Sequence, residues 1–388
     1  MHIFYAGYLP KRLVKYGFFT ARIPLSRMTS PLRFLRQDVQ SMHAYAVQDS
    51  RGFIKLDAME NPYALPADLQ QKLGQRLGSV AINRYPGARV DDLKTALRAY
   101  AGVPATHALM LGNGSDELIS LLAMACDIPK AKILAPLPGF VMYAMSAQLQ
   151  GLQFIGVDLT ADFELDEVAM LAAIEKEKPA ITYLAYPNNP TANLWDAVVI
   201  RKIIAACAAY GGLVVMDEAY QPFSSSSWMD EIKAAPDANA NVLLMRTLSK
   251  FGLAGVRLGY MTGPKALIDE VDKLRPPYNI SVLNAECALF ALENSEAFKL
   301  QAGEIIAQRA MLLEAINQLS GMHAYKSDAN MILVRMQDAD AAFAHLKGQG
   351  ILVKDISKMH PLLKNCLRLT VGTPQENEAM LAALKNLA

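Results

Sequence analysis

Between Leu109 and Arg246, short apolar runs alternate with longer segments of helical period, and this alternation constrains the fold more than any other feature. The short runs are Leu109-Met110-Leu111, Lys132-Ile133-Leu134-Ala135, Phe154-Ile155-Gly156-Val157, Ile181-Thr182-Tyr183-Leu184-Ala185, Leu213-Val214-Val215-Met216 and Val242-Leu243-Leu244-Met245-Arg246. Runs this apolar suit strands that are covered on both faces. The segments between them, 118–125, about 141–149, 166–176 and 196–210, read as helices. Such a chain is α/β, with a mostly parallel sheet flanked by helices. In open sheets of that kind, ligands bind beyond the carboxyl ends of the strands.

The polar motifs of the chain fall at those ends. Gly112-Asn113-Gly114-Ser115-Asp116-Glu117 follows the first run and opens a helix, whose free first-turn N–H groups can cradle a phosphate. An ordinary capped helix, with Ser115 or Asp116 as cap, is the other reading of that stretch. Its glycines match neither G-x-G-x-x-G nor the Walker pattern, which disfavours a nicotinamide-dependent oxidoreductase or an ATP site. Further along come Tyr186-Pro187-Asn188-Asn189-Pro190-Thr191, Asp217-Glu218-Ala219-Tyr220, and the stretch from Thr247 through Ser249, Lys250 and Gly255 to Arg257.

A lysine amine can form an imine with an aldehyde cofactor. The hydroxyls of Thr247 and Ser249 and the guanidinium of Arg257 can hold a phosphate beside it. A cofactor with a pyridine ring also needs a carboxylate at its ring nitrogen, donors to its ring hydroxyl and a flat apolar partner. Asp217 can supply the first, Asn189 and Tyr220 the second, and Phe140 the third. Ser115 and Asp116 complete the candidate phosphate set. The histidines from His43 onward show no ligand-like spacing, so no metal site is expected.

At 388 residues the chain has room for roughly two domains. After Arg275-Pro276-Pro277 its texture changes to a long helical region, Val282 to Leu319 with a turn near Asn294, followed by short strands and two helices. The expected division is a large domain over 72–277 and a smaller α+β domain from 38–71 plus 278–388. A net charge of +1 gives no reason to expect nucleic acid. No apolar run reaches the roughly 18 residues of a membrane span. Cys126, Cys207, Cys287 and Cys366 are widely spaced, which fits reduced thiols and a cytoplasmic location. Residues 1–37 carry seven Lys/Arg and no Asp or Glu. A targeting segment can look like this, as can translated upstream sequence before a start at Met28 or Met42. The second is preferred because no apolar core with a small-residue cleavage site follows, and the segment is expected to be peripheral.

The order and spacing of the motifs at Gly112, Asn188, Asp217, Thr247 and Ala254-Gly255-Val256-Arg257 resemble those of fold-type-I pyridoxal-phosphate aminotransferases. More narrowly, Leu56-Asp57-Ala58-Met59-Glu60-Asn61-Pro62, Arg84-Tyr85-Pro86 and Cys366-Leu367-Arg368-Leu369-Thr370-Val371-Gly372-Thr373 resemble histidinol-phosphate aminotransferases. The resemblance spans about Met42 to Ala388. It implies pyridoxal 5′-phosphate as cofactor, a small-molecule amino donor and a 2-oxo acid acceptor. Lys250 would hold the cofactor as an imine and move the substrate proton, and Asp217 would pair with the ring nitrogen. Tyr85 would reach the cofactor phosphate of a partner subunit, making a homodimer the active unit. Arg368 would meet the substrate carboxylate, with Tyr45 and Asn330 at substrate-contact positions. There are departures too. Ala192 stands where a glycine is usual, and the gap from Lys250 to Arg257 is one residue shorter than in some relatives. Lys354 stands where many relatives place a phosphate-binding arginine, which loses bidentate geometry. An aromatic aminotransferase, a phospho-amino-acid decarboxylase and a non-catalytic protein of the same fold are the alternatives.

Overall fold

The computed structural model describes residues 31–41 and 48–387. Up to Gln48 the chain is a small unit of its own, with a single 3-10 turn at Pro31–Phe34 and a short helix, Gln37–Ser41, among its described residues. From Asp49 onward it forms a second compact unit.

That second unit opens with a short strand, β1 (Ile54–Lys55), and then builds a seven-stranded sheet. Its strands are β2 (His107–Gly112), β3 (Lys132–Leu137), β4 (Gln153–Asp158), β5 (Ile181–Ala185), β6 (Leu213–Asp217), β7 (Val242–Thr247) and β8 (Gly259–Pro264). The order is β2-β8-β7-β6-β5-β3-β4. From β4 to β7 every neighbouring pair is parallel, as the alternation predicts. β8 runs antiparallel to both its neighbours, β2 and β7. The sequence reading has no strand at 259–264, because glycines and a proline punctuate that run and mask its pattern. Here glycine serves close approach: a Cβ on Gly259 would stand 2.8 Å from the backbone of Gly114 and Ser115.

Period-two alternation sends successive strand residues to opposite faces. Leu184, Val214, Met216 and Leu244 pack on one face against Ile200, Ile203 and Ile204 of the helix Ala197–Ala208. Tyr183, Val215, Leu243 and Met245 pack on the other against Leu118, Ile119 and Leu122 of the helix Ser115–Ala125. Both faces are thus dry, which is why these strands read as unbroken apolar runs.

A second, antiparallel sheet joins β9 (Met322–Ala324), β10 (Met331–Met336), β12 (Lys354–Asp355) and β13 (Cys366–Thr370) in the order β12-β13-β10-β9. The strand-like run Ile351-Leu352-Val353-Lys354 enters two strands. β11 (Ile351–Leu352) pairs with β1, whereas β12 pairs with β13. The expected turn near Asn294 separates the helices Val282–Glu293 and Ser295–Asn317. The helix Arg89–Ala101 has no side-chain cap and carries Asp91 in its first turn. There its charge favours the positive end of the helix dipole.

One buried ion pair clamps the loops that follow β6 and β7. Arg246 lies 2.8 Å from Glu218, and their side chains are 8% and 0% exposed. Glu218 also accepts from the Ser227 hydroxyl and the Trp228 amide. Removing one partner leaves a buried charge uncompensated. Glu218→Ala is therefore expected to cost about 3–5 kcal/mol in urea unfolding, and a loss below about 1 kcal/mol would mean that water or a neighbour replaces the carboxylate.

Candidate active site

At the carboxyl edge of the seven-stranded sheet, loops after β2, β3, β5, β6 and β7 surround an open cleft of about 600 Å³, mouth included. Its walls include Ser115, Asp116, Phe140, Asn189, Asp217, Tyr220, Thr247, Ser249, Lys250 and Arg257. The side chains of Lys250 and Asp217 therefore flank one small volume.

Asp217 ends β6 and is 3% exposed. Its Oδ2 accepts a 2.7 Å hydrogen bond from the Tyr143 hydroxyl, and its Oδ1 accepts from the Ala219 amide at 3.1 Å. Burial pushes the carboxyl up to about 6, although both hydrogen bonds pull the other way. Burial likewise pushes the Lys250 ammonium down to about 8, helped by the positive charge of Arg368. Its Nζ donates to the Ala58 carbonyl at 2.9 Å and lies 5.8 Å above the Tyr220 ring. An amine so placed is partly unprotonated near neutral pH, which an imine-forming or proton-moving lysine requires.

Opposite Asp217 the donor set changes to one suited to an anion. The Ser249 hydroxyl accepts from Thr247 Oγ1 at 2.9 Å and from Arg257 at 3.3 Å. Arg257 also reaches the Asp116 carboxylate at 3.3 Å. The sequence reading offers Ser115 or Asp116 as a helix cap. Instead Gly114 occupies the cap position at φ 84° with no side-chain hydrogen bond, so the first-turn N–H groups of the helix stay available. A Cβ at Gly114 would stand 2.6 Å from the Arg257 guanidinium and would take up a left-handed backbone, so glycine lets that side chain stay where it is without strain.

Asn189 donates to the Tyr220 hydroxyl at 3.0 Å and accepts from Arg368 at 2.8 Å. Burial raises the Tyr220 hydroxyl well above its ordinary range, so it remains a donor. Arg368, on β13, also donates to the Asp57 carbonyl at 2.9 Å. Lys354 on β12 stands directly across from Arg368 in the antiparallel register, which puts two cations on one face of that sheet. Asn330 is fully buried and donates to the Met59 carbonyl at 3.0 Å. It pins the 57–60 loop and does not line the cleft. Tyr85 lies outside the walls of this cleft; it is 75% exposed and stacks on Tyr278 with ring centroids 4.2 Å apart. Tyr45 lies outside the described residues.

Two wall residues escape the sequence reading. Tyr143 is a 2% exposed aromatic on a helix, and from sequence it reads as core. Met59 lines the cleft with φ 52°, a left-handed conformation that costs a non-glycine residue energy. Nothing in its residue type announces that. No helix among the described residues is long and apolar enough to cross a membrane.

Residues 51–384 match the family model described as aminotransferase class I and II. The chain is 67% identical to a histidinol-phosphate aminotransferase from Polaromonas naphthalenivorans (strain CJ2) over 353 residues, covering 91% of this chain and 96% of that one. It is 65% identical to a histidinol-phosphate aminotransferase from Methylibium petroleiphilum over 355 residues, covering 92% and 95%. Among solved structures, it is similar to histidinol-phosphate aminotransferase from Sinorhizobium meliloti in complex with pyridoxal-5′-phosphate, with TM-score 0.80. That likeness covers 92% of this chain and 98% of the other at 23% identity, so it speaks for the fold alone.

The raised carboxyl of Asp217 has a stability consequence. An unfolded chain ionises it near 3.8, whereas the folded chain resists ionisation until about 6. The folded state binds the extra proton, so this group costs stability progressively as pH rises through that window. In cofactor-free protein, Asp217→Asn is expected to match wild type in urea at pH 4 and exceed it by up to about 3 kcal/mol at pH 7. Equal stability at both pH values would remove the burial cost.

Proposed function

The chain belongs to the class I and II aminotransferase family, and we propose that it moves an amino group from L-histidinol phosphate to 2-oxoglutarate, as a histidinol-phosphate transaminase of histidine biosynthesis. It is a transferase and its cofactor is pyridoxal 5′-phosphate. The observation that carries the reading is one cleft walled at once by a lysine amine of lowered pKa, a buried carboxylate and an anion cradle beside Gly114.

The donor set fits the group. Arg257, Ser249, Thr247 and the N–H groups at the start of the Ser115–Ala125 helix would hold its phosphate, with Asp116 steadying Arg257. Asp217 would face the ring nitrogen and keep it protonated. Asn189 and Tyr220 would donate to the ring hydroxyl, and Phe140 would pack on the ring. When bound, pyridoxal 5′-phosphate supplies an electron-withdrawing ring that stabilises negative charge beside the transferred amino group.

The chain's own residues do the rest. Lys250, poised near 8, would be the base that takes the proton from the substrate α-carbon and holds it for return beside the bound cofactor. Arg368 meets the carboxylate of glutamate or 2-oxoglutarate and the phosphate of the other substrate. Lys354, across the register from Arg368, adds a second positive charge for that phosphate. The 57–60 loop closes the cleft from above, held by the Asn330, Thr370 and Arg368 side chains. We read Tyr85 as serving the phosphate end of a partner subunit's site in a cytoplasmic homodimer. Its exposure, and its place outside the walls of this chain's own cleft, support that assignment.

Lys250→Ala should abolish transamination from histidinol phosphate; measurable turnover would end the assignment. Lys354→Ala should raise the KM for histidinol phosphate about 10-fold, the worth of one charge-assisted contact, and leave the KM for glutamate within about two-fold. Equal rises for both substrates would remove its phosphate role. Substrate profiling against phenylalanine and tyrosine separates the aromatic-aminotransferase alternative, and release of CO₂ separates the decarboxylase.

A further inference from the structure

We propose that Tyr143 is a positioning residue that holds the Asp217 carboxylate, ionised and in a single orientation, for the nitrogen of the cofactor ring. The proposal rests on the pyridoxal-phosphate reading above and goes beyond it by assigning a residue that touches Asp217 from behind.

Three observations carry it. The Tyr143 hydroxyl donates to Asp217 Oδ2 at 2.7 Å, while the Ala219 amide takes Oδ1 at 3.1 Å. Both carboxyl oxygens are thus tethered, and the group cannot swing. Second, Tyr143 is itself immobilised. It is 2% exposed, stacked on Tyr183 at 4.3 Å with the rings 6° from parallel, and meets the edge of Phe140 at 5.5 Å. Third, Phe140 lies just before the N-cap Val141 of the helix Met142–Gln150 and Tyr143 in its first turn, so one loop-to-helix junction places both the expected ring-packing residue and the carboxylate's donor. Tyr143 cannot compete for the negative charge, because burial holds its hydroxyl protonated.

The chemistry needs such a donor. A carboxylate sealed among aromatic rings favours its neutral form, and a neutral acid loses the ion pair with a protonated ring nitrogen. The titratable groups that act on Asp217 are Tyr143 on the helix behind it, Asp116 on the Ser115–Ala125 helix and Glu218 in its own loop; the hydroxyls of Tyr183 on β5 and Tyr220 in that same loop are in turn raised by the Asp217 charge. Lys250 stands across the cleft. Asp116 and Glu218 both oppose ionisation of Asp217. Tyr143 is the side chain that donates to it.

Tyr183 provides the control. Its hydroxyl is buried without a hydrogen-bond partner, one ring removed from Asp217. Tyr183→Phe deletes the same atom from the same aromatic stack and leaves the Asp217 hydrogen bonds untouched.

The test is the dissociation constant of pyridoxal 5′-phosphate from pH 5.5 to 8.5, read from the visible absorbance of the bound cofactor in wild type, Tyr143→Phe and Tyr183→Phe. A wild type that takes up no cofactor would refute the underlying reading and not this one. With wild-type binding established, Tyr143→Phe is expected to weaken it roughly 10-fold or more at neutral pH, the worth of a hydrogen bond to a charged group. The loss of affinity on acidification should also move to higher pH in that variant. Tyr183→Phe should match wild type in both respects. Wild-type affinity and pH profile in Tyr143→Phe would overturn the proposal, as would equal losses in both variants, which would report packing alone. Should Tyr143→Phe fold poorly, the comparison of Asp217→Asn with Tyr143→Phe/Asp217→Asn decides. No further loss in the double variant supports action through Asp217, and an additive loss overturns it.

Discussion

In-register parallel pairing of β5, β6 and β7 sets Ala185, Asp217 and Met245 side by side. The loops that leave these strands consequently emerge at one edge, and the chemistry of the chain is carried by what those loops hold. A slip of one residue in any pair would turn Asp217 from the cleft to the opposite face of the sheet. The register is secured by both apolar faces, since each strand residue between 181 and 185 is buried. It is secured again at the edge by the Arg246–Glu218 pair, which joins the end of β7 to the residue after Asp217.

Burial acts on the two central groups in opposite chemical senses and to one end. It pushes the Asp217 carboxyl up and the Lys250 ammonium down, so each is drawn toward its neutral form. A ligand with a basic ring nitrogen at one end and a phosphate at the other reverses part of this cost, by giving the carboxylate a positive partner and Arg257 a negative one. The remainder of the site is arranged to resist collapse. Tyr143 and the Ala219 amide tether Asp217, the glycine at 114 lets Arg257 stay where it is, and Asn330 and Thr370 hold the 57–60 loop over Lys250. Met59 sits in a left-handed conformation in that loop, a local strain at a cleft wall that its two backbone hydrogen bonds sustain.

Much of the parallel sheet is legible in sequence because strands covered on both faces leave a simple trace, short apolar runs with polar residues at their ends. Asp217 stands out for that reason, a charge directly after a run of apolar residues, and Lys250 follows the next such run by a short hydroxyl-bearing stretch. The antiparallel β8 leaves no such trace, since its glycines exist for close contact, Gly259 with Gly114 and Ser115 and Gly263 with Val242 and Leu243. The break between β11 and β12 is equally silent, because Ile351–Lys354 is uniformly strand-like and only the pairing partners differ. Tyr143 reads as core because it is core; its hydroxyl matters only through the carboxylate beside it.

From the order of its residues alone, this chain declares an α/β sheet, a lysine and a carboxylate at strand ends, a phosphate cradle near Gly114 and membership of an aminotransferase family. All but the last follow from local pattern, in which period, punctuation and residue type are read within a few positions; the family comes from the resemblance of the motifs and their order along the chain. Which side chains meet across the chain was decided by tertiary structure. Arg368 on Asn189 lies 179 residues away in sequence, and the Lys250 amine on the Ala58 carbonyl 192. Contacts at such separations depend on strand register and loop path, which are settled by the packing of the whole core and leave no mark at either end of the pair.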